Sequence, residues 1–190
     1  MQTDDIEGVL EFLRAVERLK TTPRSGRTSA GREESVAEHT WRLCLMAMLL
    51  FGDAADVNLA RLLKMCLIHD LGEAIGGDVP APLQREGSDK AGRERADLLQ
   101  LVQPLPSALR QDIMGLWDEY EAASTREAVL AKGLDKLETI LQHTQGQNPP
   151  EFDYAFNLGY GRRFTAADPL LAALRARLDE DTARRAGHKA

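Results

Sequence analysis

Met65-Cys66-Leu67-Ile68-His69-Asp70-Leu71-Gly72-Glu73 sets an imidazole beside a carboxylate inside an otherwise apolar run. Between Arg61 and Ala74 the apolar residues recur at three and four, the period of a helix with one buried face. Leu62, Cys66, His69 and Glu73 share one stripe, and Leu63, Leu67, Asp70 and Ala74 the next. Burying a carboxylate against an imidazole carries a heavy desolvation penalty unless a cation or hydrogen bonds compensate. A metal ion satisfies both groups at once. The stretch therefore predicts a helix that carries part of a metal site, and the remaining ligands lie elsewhere in the chain.

Outward from this stretch, Asn58 is the expected cap of its helix, Gly76-Gly77 its end, and Asp78-Val79-Pro80-Ala81-Pro82 an extended turn. Ser35-Val36-Ala37-Glu38 is a capping box opening a helix to about Phe51, with His39 in its first turn. Before it, Thr21 to Arg32 reads as a Gly/Ser/Pro loop carrying Arg24, Arg27 and Arg32, and Asp4 to Lys20 as a first amphipathic helix. Such a loop is either a solvated basic segment or a clamp for phosphate. Downstream, helices are expected over Ser88 to Val102, Pro106 to Ala122 and Asp168 to Arg184. Ser124-Thr125-Arg126-Glu127 is a second capping box, starting a helix to about His143 with Asp135 in its middle. Residues 145–165 show no clean period and read as an ordered loop.

The 190 residues suffice for one core, and no linker-like stretch divides them, so a single domain is expected over 1–190. Its core would span roughly 4–144, a loop and helix 145–184, and a fraying tail 185–190. Aromatics make up only 5% of the chain, which with abundant Ala, Leu, Glu and Arg predicts an all-α helical bundle. A net charge of −6 disfavours nucleic acid as the main partner. The longest apolar run, Leu43 to Phe51, is nine residues, short of the roughly 20 needed to cross a bilayer. Met1 to Glu11 carries four acids and lacks the basic start of a secretory signal. Cys44 and Cys66 lie in apolar helical runs, as reduced core thiols of a cytoplasmic protein would.

Four histidines occur, at 39, 69, 143 and 188. His188 falls in the expected tail. His143 lies eight residues after Asp135 on nearly the same helix face and could approach a site there, but it reads more simply as a helix-terminal histidine favoured by the dipole. His39 and His69 are 30 residues apart, enough for two helices to fold back as neighbours, and Asp135 supplies a carboxylate from a third. Together with Asp70 they form a mixed nitrogen and oxygen set suited to Mn, Co, Zn, Fe or Ni, with Mg possible.

His39, then His69-Asp70, then Asp135 resembles the ligand pattern of the HD-domain metal-dependent phosphohydrolases. Glu34-Ser35-Val36-Ala37-Glu38-His39, His69-Asp70-Leu71-Gly72-Glu73, Gly77-Asp78 and Asp135-Lys136-Leu137-Glu138 are similar to segments of the HD-domain 5′-deoxynucleotidases, in the same order over Leu19 to Gln142. The resemblance implies an HD fold holding one divalent cation through His39, His69, Asp70 and Asp135. It implies hydrolysis of (deoxy)ribonucleoside 5′-monophosphates to nucleoside and phosphate by a metal-bound hydroxide. By the same resemblance Glu73 is catalytic and transfers a proton, Asp78 contacts the sugar, Arg24 and Arg32 bind phosphate or substrate, and Glu119 lies near the pocket. Bacterial members carry a tryptophan after the first arginine that discriminates the sugar; here Ser25 stands there, leaving ribose against deoxyribose open. The resembling enzymes are commonly homodimers. A second reading is a non-catalytic nucleotide-binding scaffold with a structural metal, which has no need of Glu73, Asp78 and Arg24. A dinuclear HD enzyme needs further histidines between residues 70 and 135, and there are none.

Overall fold

A computed structural model describes residues 3–83 and 89–187, and their regular structure is helical apart from one two-stranded hairpin. Helix α1 (Thr3–Val16) tightens into a 3-10 turn over Glu17–Lys20. Strands β1 (Pro23–Arg27) and β2 (Glu33–Ser35) pair antiparallel, with Pro23 opposite Ser35 and Arg27 opposite Glu33. Three residues on β1 thus face one on β2, an irregular bulge. This hairpin replaces the expected loop. Pro-Arg-Ser-Gly-Arg has no apolar alternation to betray a strand; the segment is held by backbone pairing and by Gln142, whose Nε2 donates to the Arg27 carbonyl at 2.6 Å.

Helix α2 (Val36–Phe51) opens on the capping box, Ser35 Oγ accepting from Glu38 N at 3.3 Å and Glu38 Oε2 from Ser35 N at 2.9 Å. Helix α3 (Leu59–Ile68) is capped by Asn58, whose Oδ1 accepts from Arg61 N. It ends sooner than expected. His69 to Gly72 turns with three-residue hydrogen bonds, Leu71 N to Ile68 O and Glu73 N to Asp70 O, before the single turn α4 (Glu73–Gly76). Gly72 is where the next helix crosses: a Cβ there would sit 2.8 Å from the Glu94 carbonyl oxygen, so only glycine admits the approach. Gly77, at φ 75°, then turns the chain into Asp78.

Helices α5 (Lys90–Leu101), α6 (Ser107–Ala122) and α7 (Arg126–Gln145) follow. The predicted start at Ser88 lies outside the described residues; Asp89 caps α5 by accepting from Gly92 N. The cap of α7 is Thr125, one residue later than expected, its Oγ1 accepting from Ala128 N. Glu127 does not close that box and instead accepts from Asn58 N at 2.8 Å. The segment expected as loop contains the short helices α8 (Phe156–Gly159) and α9 (Arg162–Thr165). Helix α10 (Pro169–Gly187) begins where Asp168 Oδ1 accepts from Leu170 N. It outruns the expected end at Arg184: Arg185 donates to the carbonyls of Thr144 and Gly146 rather than fraying.

Helix α7 is the axis. Leu130, Leu134, Leu137 and Ile140 are fully or almost fully buried, and α2, α3, α6, α9 and α10 pack around it. A helix apolar on most sides must be enclosed. The core joins these residues to Leu43, Ala47 and Phe51 of α2, to Leu62, Met65 and Cys66 of α3, and to Leu171 of α10. Polar residues on α7 therefore point into protein, and that is where the site forms.

Candidate metal centre and its cleft

Helices α2 and α7, together with the turn after α3, bring His39, His69, Asp70 and Asp135 to one place. His39 Nε2 lies 3.3 Å from Asp135 Oδ1 and 3.8 Å from Asp70 Oδ2. His69 Nε2 lies 3.1 Å from Asp70 Oδ2 and 3.9 Å from Asp135 Oδ1. The other atoms of these groups are already committed. His39 Nδ1 pairs with Glu138, and His69 Nδ1 donates to the Cys66 carbonyl at 2.9 Å. Asp135 Oδ2 accepts from Lys136 Nζ at 2.8 Å and from the Tyr120 hydroxyl at 3.2 Å. The turn itself is fixed by Trp117, whose indole N–H donates to the His69 carbonyl at 3.1 Å.

His39 Nε2 and His69 Nε2 are buried and make no hydrogen bond among the described residues. Buried polar atoms are normally satisfied, so two unsatisfied lone pairs aimed at two carboxylates fit a cation. His39, His69 and Asp70 each offer an atom within 4.8 Å of the others. Two nitrogens and two oxygens suit a divalent ion. A second group, Glu34, His39 and Glu138, is equally close. Its acids already meet cations: Arg42 Nε donates to Glu138 at 2.6 Å, and Arg24 Nε lies 3.4 Å from Glu34. It is the shell that orients His39.

The electrostatics follow from confinement. Burial and Arg24 both oppose a proton on His39, but Glu138 and Asp135 outweigh them and carry it up to about 9 in the metal-free protein. Burial would raise Asp135, yet Lys136 and the two imidazoles hold it well below the usual carboxylate range. Glu73 has no such partner. Burial first, then Asp70 and Asp78, push it up to about 10, and its Oε2 is buried with no hydrogen bond among the described residues. Burial also raises Asp78, against the pull of Arg24. Burial works against the charge of Arg24, but Asp70, Asp78, Asp135 and Glu138 overcome it.

A cleft opens from this cluster, walled by Arg24, Glu73, Asp78, Lys90, His143 and Tyr160. Arg24 reaches Asp70 at 3.3 Å and Thr139 Oγ1 at 3.0 Å. The structure thus gathers the four expected ligands with Glu73, Asp78 and Arg24. It does not bring Arg32 or Glu119 to the cleft. Arg32 is exposed, donating to Glu38 at 2.8 Å from the far side of the hairpin. Glu119 accepts from Arg61 Nε at 3.0 Å and from Thr125 Oγ1 at 2.6 Å, a brace between helices. His143, read as a helix-terminal residue, is buried on the cleft wall. Glu138, Lys136 and Tyr120 had no expected role. Leu134 to Ile140 reads as an ordinary amphipathic helix, with four polar residues in seven, so nothing local marks Lys136 or Glu138 as buried.

Two histidines and two aspartates converging at a buried point, with an acid and an arginine on the adjoining cleft, define a metal-dependent phosphohydrolase. A family model described as an HD domain matches residues 16–174. The chain belongs to the HD-domain family. It is 38% identical over 139 residues to the human 5′-deoxynucleotidase HDDC2, covering 72% of this chain and 67% of that one. To the Dictyostelium discoideum 5′-deoxynucleotidase HDDC2 it is 34% identical over 149 residues, 74% of this chain and 78% of that one. Among solved structures it matches a Magnetospirillum magnetotacticum MS-1 protein described as a predicted metal-dependent phosphohydrolase. That match has a TM-score of 0.80 and 30% identity, over 96% of this chain and 94% of that one. Membership implies a divalent metal. None of the described helices is long and apolar enough to cross a membrane.

Proposed function

We propose that the protein is a cytoplasmic 5′-nucleotidase that removes phosphate from (deoxy)ribonucleoside 5′-monophosphates, working as a single domain. The observation that carries this reading is the pair of imidazole Nε2 atoms and the buried Glu73 Oε2, all without a hydrogen bond among the described residues, beside a cleft-facing Arg24. His39, His69, Asp70 and Asp135 would hold one transition-metal ion. When bound, such an ion polarises a phosphoryl oxygen and acidifies coordinated water. Arg24, held open by Glu34, Asp70 and Thr139, presents its guanidinium to the phosphate. Glu73 holds or moves the proton between attacking water and leaving oxygen at its free Oε2. Asp78 lines the cleft where the sugar would lie. Arg32 and Glu119 stay outside the proposal, since neither lines the cleft. A scaffold is the weaker reading, because it gives the uncompensated Glu73 nothing to do.

Two copies would associate through the outer face of α2, where Trp41, Met48 and Leu49 are exposed. The test of the chemistry is phosphate release from nucleoside 5′- and 3′-monophosphates by metal-stripped protein given Mn, Co, Mg or Zn singly. Glu73→Ala is expected to cut turnover by about 10²- to 10⁴-fold with metal content unchanged. An unaltered rate removes Glu73 from the mechanism, and no release with any metal leaves the scaffold.

A further inference from the structure

Lys136 stands in the cleft wall beside the metal centre, and the chemistry above leaves it without a task. It follows Asp135 on α7, and its ammonium turns back to that neighbour, Nζ lying 2.8 Å from Asp135 Oδ2. The stem that makes this turn is held in place. Gly161 lets it pass, since a Cβ there would stand 2.5 Å from Lys136 Cγ, and the ring of Tyr160 faces the ammonium with its centroid 5.1 Å from Nζ. An ammonium has three N–H donors. Asp135 takes one and the Tyr160 side chain a second, so a third remains for whatever enters the cleft. Lys90 lines the cleft too, but its Nζ is held by Glu94 at 3.1 Å and bonds to none of the four ligands among the described residues.

A phosphate monoester presents three terminal oxygens and, near neutral pH, close to two negative charges. One oxygen belongs with the cation held by the four ligands and one with Arg24, which leaves the third without a partner. Arg24 bonds to Asp70 and Lys136 to Asp135, so each acid of the centre brings its own cation to the cleft, from a different element. A phosphoryl group docked on the centre comes within reach of both. A phosphodiester has only two terminal oxygens and a single charge. It would set an alkylated oxygen against Lys136, and a charged donor left unmatched in this way is what separates one ligand from another.

We propose that Lys136 binds the third terminal oxygen of the substrate's phosphate and so determines specificity for phosphate monoesters against diesters. The inference rests on the nucleotidase reading. The experiment uses wild type, Lys136→Met and Lys136→Arg, each at saturating metal. Methionine keeps a stem against Gly161 and loses the charge, while the Tyr120 hydroxyl still holds Asp135 Oδ2. Calorimetry gives the dissociation constants of methyl phosphate, a monoester dianion, and dimethyl phosphate, a diester monoanion. Metal affinity is titrated separately on the stripped proteins, and kcat/KM is measured on a nucleoside 5′-monophosphate.

A hydrogen bond between two charged groups is worth roughly ten- to a hundredfold. The expected result is that Lys136→Met binds methyl phosphate more weakly by about that factor, binds dimethyl phosphate no worse than wild type, and keeps its metal affinity. Lys136→Arg should recover part of the loss on methyl phosphate. A residue that only held Asp135 in place would instead lower metal affinity and leave methyl phosphate binding unchanged at saturating metal, which overturns the proposal. Equal losses on the two phosphates, or a wild type that binds no methyl phosphate, also overturn it. If methyl phosphate binding depends on Lys136 while no nucleotide is turned over with any metal, the contact stands and the nucleotidase reading falls.

Discussion

Glu138 shows how much of a metal site lies outside its ligands. It is wholly buried, it pairs with the far nitrogen of His39, and its own charge is met by Arg42 at 2.6 Å. Outer partners of this kind fix which ring nitrogen carries the proton and so which one faces the ion. His143 is a buried imidazole outside the ligand set, and it has the opposite setting. Burial disfavours its charge most and Arg24 adds to that, while the Asn157 hydrogen bond and, more weakly, Glu138 oppose them. Its folded value of about 4 lies below the ordinary 6.5, so the unfolded chain takes up the proton first as pH falls. The contribution of His143 is therefore intact above about pH 6.5, is lost progressively toward pH 4, and is level below that. The full loss is on the order of 3 kcal/mol. Urea unfolding of metal-free wild type and His143→Gln between pH 4 and 7 should show stabilities that converge as pH falls; a constant gap contradicts this.

At the scale of elements, the caps of α2 and α3 were legible and breaks were not. Ser35 and Glu38 announce the start of α2 because both partners of the box lie within four residues. Nothing local announces that α3 stops at Ile68; the turn that follows is held by tertiary contacts, Trp117 on the His69 carbonyl and the close approach of α5 to Gly72. The hairpin was hidden for a related reason: its pairing is carried by main chain and by Gln142, far away in sequence. Helix α2 shows two faces. Val36, Leu43, Ala47 and Phe51 are buried, while Trp41 is 68% and Leu49 74% exposed on the other side. Apolar side chains exposed on one outer face suit the association proposed above. Leu49→Glu is expected to convert a dimer in sedimentation velocity to a monomer with the fold unchanged. A wild type that sediments as a monomer ends the idea.

Across the whole molecule, the fold is a device for enclosing α7. The four candidate ligands stood out because imidazoles and acids are uncommon on buried helix faces and arrive here in a known order. Arg32 and Glu119 misled because spacing along the chain says nothing about which opposite charge is nearer, and Glu38 and Arg61 were nearer. Without a cation, Asp70 and Asp135 stay ionised beside two imidazoles, so metal binding is linked to stability. At free metal of 100 times Kd the gain is about 2.7 kcal/mol, or roughly 5–10 °C in Tm for a chain of this size. Calorimetry before and after chelation measures it, and an unchanged Tm shows that the folded site does not hold the ion.

The indole of Trp117 is 3% exposed and bonded to the carbonyl of His69, whereas Trp41, the other tryptophan, stands in solvent. Their emission should differ in colour, the enclosed ring to the blue and the wet one to the red. The protein thus carries a built-in optical reporter one bond away from a candidate ligand. Filling or emptying the centre can be followed by fluorescence with no label attached.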